Sequence, residues 1–215
     1  GIRDSVAARG LGDVYKRQGI EIAMWDIVGK TLEQPIYNLI GGPVRPHIRV
    51  YANGWGQGSP DDKAQEASEL VEKRGFNALK FDPFPGPWRE YPNRDELVEA
   101  ADTVGKVREA VGPEVELLVE VHRRLAPVHA ISAAKQMEKY NPYWFEEPCP
   151  PDNIDAILEV KNNTTIPVVT GEAHYTRNGF REIFDKRAAD IINPDICNTG
   201  GILDLSQFAA MAQPH

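Results

Sequence analysis

Three short apolar runs between Val115 and Glu172 each end in acid, and they constrain this chain more than any other feature. They read ELLVEVH, YWFEEP and PVVTGE, and the acids that first close them are Glu120, Glu146 and Glu172, at equal intervals of 26 residues. A strand, its return helix and two short loops need about 30 residues. Each carboxylate is therefore expected at the C-terminal end of consecutive parallel strands. Three anions at one edge of a sheet repel one another unless a positive charge lies between them. A hard divalent cation with oxygen ligands is the natural candidate.

The rest of the chain alternates in the same way. Residues 1–18 fit neither periodicity, and IRDS and GLGDVYKRQ look like translated sequencing adaptor, so this segment is read as foreign. From Gly19, Ile20, Ala23, Met24, Ile27 and Val28 share one helical face, and Gly29 is expected to close that packing helix. IRVYAN reads as a first strand with Asn53 and Gly54 after it, and Pro60 with two aspartates opens a helix ending at Gly75. NALKFD is the next strand. The Pro-rich loop DPFPGPWREYP is long enough to form a wall or lid. Helices are expected near 94–111, 127–140, 153–162, 176–185 and 202–211, with DIINPD as a sixth strand.

Strict strand–helix alternation means a parallel sheet. The G-x-G-x-x-G turn of a dinucleotide-binding open sheet is absent. Acids at the ends of successive strands favour an α/β barrel of the TIM type, incomplete at about six strand–helix units. The domain reading is 19–45 as the end of a capping domain and 46–215 as a partial barrel.

Composition narrows the partners. A net charge of −8 argues against general nucleic-acid binding, which needs a basic face. A small molecule is the expected partner. Cys149 and Cys197 form no disulfide framework or zinc pattern, so a reducing cytoplasm is the expected location. No apolar run approaches the ~20 residues of a membrane helix.

With KFD, VEVH, FEEP, TGE and NPD in this order, the chain resembles the enolase superfamily, within it the mandelate racemase-like group, and most narrowly its acid-sugar dehydratases. The resemblance implies Mg²⁺ held by Glu120, Glu146 and Glu172, with Glu120 standing where an aspartate is usual. It implies that His122 is the general acid. A β-hydroxide leaves poorly unless protonated, and imidazole titrates near working pH. Two residues apart on a strand, Glu120 and His122 are expected to project to the same side.

The resemblance further implies that Asp195 orients a general-base histidine from a seventh strand, which these 215 residues do not contain. The chain is therefore expected to end within the barrel and to be inactive on its own. Lys80 and Asp82 stand where racemases carry Lys-x-Lys. Without the second lysine, two-base racemisation is disfavoured, and Lys80 either contacts the substrate carboxylate or pairs with Asp82. Glu147 supports the site in relatives, and Asn53 and Arg124 are further supporting candidates. The HGR of relatives reads His122, Arg123, Arg124 here, an arginine gained in that loop while Ala173 replaces one expected after Glu172. His47, His129 and His174 read as structural.

The implied reaction is Mg²⁺-dependent dehydration of an aldonate such as galactonate or gluconate to a 2-keto-3-deoxy acid. The implied partners are a small sugar acid and, at full length, further copies of the chain. The alternatives are an epimerase, racemase or cycloisomerase using the same metal site, and a barrel that binds a sugar acid without turnover.

Overall fold

In the computed structural model, residues 18–87 and 90–215 are described, so the adaptor-like segment falls, but for Gln18, outside the described residues. Two compact units emerge. One comprises Val50–Thr170 with Lys186–Ile192; the other comprises the segments up to Arg49, Gly171–Asp185 and Asn193–His215.

The first unit carries a five-stranded sheet, β1 (Ala78–Phe81), β2 (Glu116–Glu120), β3 (Trp144–Glu146), β4 (Val168–Thr170) and β5 (Ile191–Ile192), in chain order. Every neighbouring pair is parallel. Helices α3 (Pro60–Arg74), α4 (Arg94–Val111), α5 (Pro127–Met137) and α6 (Ile154–Asn162) alternate with the strands. Strands covered on both faces read as near-continuous apolar runs. Accordingly Leu79, Leu117, Val119, Phe145, Val168 and Val169 are fully buried.

Local chemistry fixes the helix starts. Ser59 and Asn93 each accept a backbone N–H from the third residue of α3 and α4, and Asp62 and Glu96 return the bond, giving two capping boxes. Asn153 accepts from Ala156 N–H at the start of α6. Gly75 ends α3 in the left-handed conformation at φ 73°.

The second unit contains α1 (18–31), α2 (Ile36–Leu39), α7 (Thr176–Lys186, counted here to Asp185) and α8 (Ile202–Ala212). Its core is aromatic. Phe180 stacks on Phe208 at 4.4 Å, with Phe184 at 6.1 Å and His174 at 5.9 Å from the Phe180 ring. Glu21 of α1 accepts hydrogen bonds from Ile202 N–H and Leu203 N–H at 2.8 and 3.0 Å, which caps the first turn of α8.

Four expectations require correction. IRVYAN forms no strand: it contributes a single bridge, in which Ala52 N–H donates to Ala78 O and Lys80 N–H to Ala52 O. A β-branched run becomes a strand only where a partner pairs along its length. Gly29 does not close α1, which continues to residue 31; Gly29 is buried where a Cβ would stand 2.9 Å from Gln34 O as the chain folds back. The shared apolar face of α1 is not packed either, since Ile20 and Ile27 are each 63 % exposed. The expected helix over 127–140 is α5 followed by a 3₁₀ turn, Glu138–Tyr140.

Candidate active site

The C-terminal ends of β2 and β3 meet in register, Glu120 opposite Glu146, and both residues are buried. β1 supplies the charge between them. Lys80 pairs with Leu118, two residues short of Glu120, and its Nζ reaches Glu120 Oε2 at 2.9 Å and Glu146 Oε1 at 2.7 Å. The Tyr51 ring lies 5.8 Å from the same ammonium and packs edge-on against Trp144.

Burial and proximity set the charges. Burial raises Glu146 to about 7, with the Glu120 charge adding to the shift and Lys80 opposing it. Burial alone would lower the Lys80 ammonium, but Glu146 and Glu120 override it and hold it above the ordinary lysine value. Two carboxylates and one ammonium leave a net negative site offering hard oxygen donors. That donor set fits a cation such as Mg²⁺ and not a thiophilic metal.

The Lys80–Asp82 pairing is not formed. Asp82 instead pairs with Arg124, which also donates from Nε to Val121 O at 2.8 Å. Burial raises the Asp82 carboxyl against the pull of that guanidinium. Alternation along a strand made Lys80 and Asp82 neighbours, but β2 and β3 carried acids in closer reach.

His122 also departs from expectation. β2 ends at Glu120, so strand alternation does not extend to His122, which is exposed in a turn with φ 60°. Its N–H donates to Glu120 Oε1 at 2.7 Å. Glu147, fully buried with φ 48°, donates its N–H to Val169 O at 2.8 Å and accepts from Thr170 Oγ1 at 3.1 Å.

The equal spacing of the three glutamates does not translate into equal register. Glu146 stands opposite Val169, so Glu172 lies three residues further along its segment, beyond β4. Within the second unit, the half-buried Glu172 accepts from Asn198 Nδ2 at its backbone oxygen, 2.8 Å. Gly171 before it has φ 143°, and a Cβ there would meet Asn193 N at 3.0 Å, so this close approach needs glycine. Asp195 is exposed and accepts from Cys197 N–H at 2.8 Å. Asn53 lies exposed just past the Ala52 bridge. The Pro-rich loop is anchored by Glu90 O, which accepts from Ala126 N–H at 3.0 Å; residues 88 and 89 lie outside the described residues.

Sequence reasoning did not single out Tyr51, whose only signal was its place as the aromatic residue within the expected first strand. Residues 62–215 match the family described as enolase C-terminal domain-like. The chain belongs to that family. Residues 6–41 match the mandelate racemase / muconate lactonizing enzyme N-terminal domain, a match that begins inside the segment read as foreign.

Among relatives of this enolase-like chain, a D-gluconate dehydratase from Thermoproteus tenax is 35 % identical over 213 residues, covering 98 % of this chain and 42 % of the relative. A D-galactarolactone cycloisomerase from Agrobacterium fabrum is 33 % identical over 200 residues, covering 92 % and 50 %. A crystal structure of a mandelate racemase/muconate lactonizing enzyme-like protein from Roseovarius sp. TM1035 superposes with a TM-score of 0.86 at 35 % identity, covering 91 % and 52 %. The chain thus spans about half the length of the curated relatives it matches. The sheet described above is the corresponding part of the family's α/β barrel. Among the described residues no helix is long and apolar enough to cross a membrane.

Proposed function

We propose that this chain is part of a Mg²⁺-dependent acid-sugar dehydratase, a hydro-lyase that converts an aldonate such as gluconate or galactonate to a 2-keto-3-deoxy acid. The observation that carries the reading is the buried Glu120–Lys80–Glu146 cluster at the ends of adjacent parallel strands. Glu120 and Glu146, joined by Glu172 from beyond β4, would hold the metal. When bound, Mg²⁺ supplies positive charge for the substrate carboxylate, whose oxygens gain charge as the weakly acidic α-proton leaves.

The chain's own residues do the rest. Lys80 keeps the two buried carboxylates together and offers an ammonium to the substrate carboxylate. His122, on an exposed turn beside Glu120, protonates the departing 3-hydroxyl. Asp195 orients the histidine that takes the α-proton. Loss of one proton-transfer group typically costs about 10²–10⁴-fold in rate.

The test uses a reading frame of the relatives' full length, incubated with gluconate, galactonate and Mg²⁺ while 2-keto acid is followed. Keto-acid formation that is lost in Glu146→Gln is the expected result. An isomerised product without keto acid would replace this reading with the cycloisomerase one that the Agrobacterium relative favours. Ligand binding with no turnover under any condition would replace it with a binding barrel. The 215 residues alone, half the length of their relatives, are expected to show no turnover.

A further inference from the structure

His122 and Arg123 are consecutive side-chain-bearing residues at φ 60° and 63°. L-residues avoid this region because the Cβ crowds the following carbonyl, and such a pair persists only where its surroundings over-determine it. The surroundings here are specific. Arg124 Nε donates to Val121 O at 2.8 Å, and Arg124 Nη2 donates to the Asp82 carboxylate across the ends of β1 and β2. The guanidinium lies 5.3 Å from the centre of the Phe84 ring.

Asp82 is itself held on both sides. Its Oδ1 accepts from Phe84 N–H, and its backbone oxygen from Lys63 Nζ, each at 2.9 Å. On the opposite side of the turn, Arg123 N–H donates to Glu147 O at 2.6 Å and Leu125 N–H to Pro148 O at 3.2 Å. The outcome of this bracing is one bond, from His122 N–H to Glu120 Oε1 at 2.7 Å.

We propose that Arg124 and Asp82 are positioning residues: their ion pair locks the left-handed His122–Arg123 turn and so fixes the orientation of the Glu120 carboxylate. This rests on the reading of Glu120 as a cation ligand. Neither Arg124 nor Asp82 needs to touch the metal. Groups that orient a ligand typically change metal affinity 10- to 100-fold when removed. An arginine is required because one side chain must serve Val121 O and Asp82 together, which a lysine's single ammonium cannot do in that geometry.

The experiment measures amide hydrogen exchange at His122 by NMR and Mg²⁺ binding by calorimetry, both on the 215-residue chain. Arg124→Met is expected to speed His122 exchange roughly 10- to 100-fold and to weaken Mg²⁺ binding about tenfold, and Arg124→Lys not to restore either. Adding Arg123→Gly to Arg124→Met is expected to recover much of both losses, because glycine adopts φ near 63° without strain. An ion pair with only a structural role would give equal losses in both backgrounds and would overturn the proposal, as would unchanged exchange in Arg124→Met. Asp82→Asn, which keeps the volume, provides the same measurements if Arg124→Met does not fold. If the unsubstituted chain binds no Mg²⁺, the metal reading fails, while the exchange comparison still decides the clamp.

Discussion

Lys80 stands where Glu120 and Glu146 would otherwise face each other, and the metal-free site should depend strongly on it. Taking one partner from a buried ion pair typically costs about 3–5 kcal/mol. Lys80→Met should lose somewhat less, because Glu146 can take up a proton. Urea unfolding in chelator measures it. The same group sets a pH dependence. A carboxyl raised from 4.5 to about 7 on folding binds more protons when folded, so its stability contribution is present below pH 4.5 and lost as pH rises through about 7. The stability of the natural chain relative to Glu146→Gln should therefore fall across that window, and saturating Mg²⁺ should flatten the difference. The sequence revealed both carboxylates and the lysine but not their pairing. Lys80 meets Glu120 rather than Asp82 because β1 and β2 pair with Lys80 opposite Leu118, and register between strands 40 residues apart is a tertiary property.

At the scale of elements, helices were legible and strand edges were not. Ser59, Asn93, Asn153 and Gly75 mark helix ends through bonds to residues a turn away, so their chemistry can be read locally. IRVYAN had the right composition for a strand, yet what it became depended on how much of its length found a partner. Helix packing offers two tests. Gly105 of α4 lies under Tyr140, and a Cβ there would come within 2.6 Å of the ring. Gly105→Ala should destabilise by about 1–3 kcal/mol in urea unfolding, as overpacking does. Arg108, which burial pushes below its usual value, binds the backbone oxygens of Gly112, Val115, Tyr140 and Asn141. Arg108→Met leaves four carbonyls to find other donors and should cost at least about 2 kcal/mol by the same measurement.

For the whole molecule, the two units are each organised about their own core, and the second is tied by contacts distant in sequence. Glu21 and Ile202 are 181 residues apart, and the capping bonds between them leave no local trace in the sequence. Glu21→Ala should speed hydrogen exchange in the first turn of α8 while leaving α3 and α4 protected. Equal loosening of all three helices would mean that the two cores do not melt separately.

The edge strand β5 is only Ile191–Ile192. Fibre growth copies a strand by adding another chain along a run of open backbone groups, and an edge of two residues presents very few of them. On the other side, Ala52 already occupies backbone groups of Ala78 and Lys80. Neither margin gives an incoming chain a long template, so clumping of this protein should be amorphous and driven by exposed side chains such as Ile20 and Ile27, with little growth of ordered filaments.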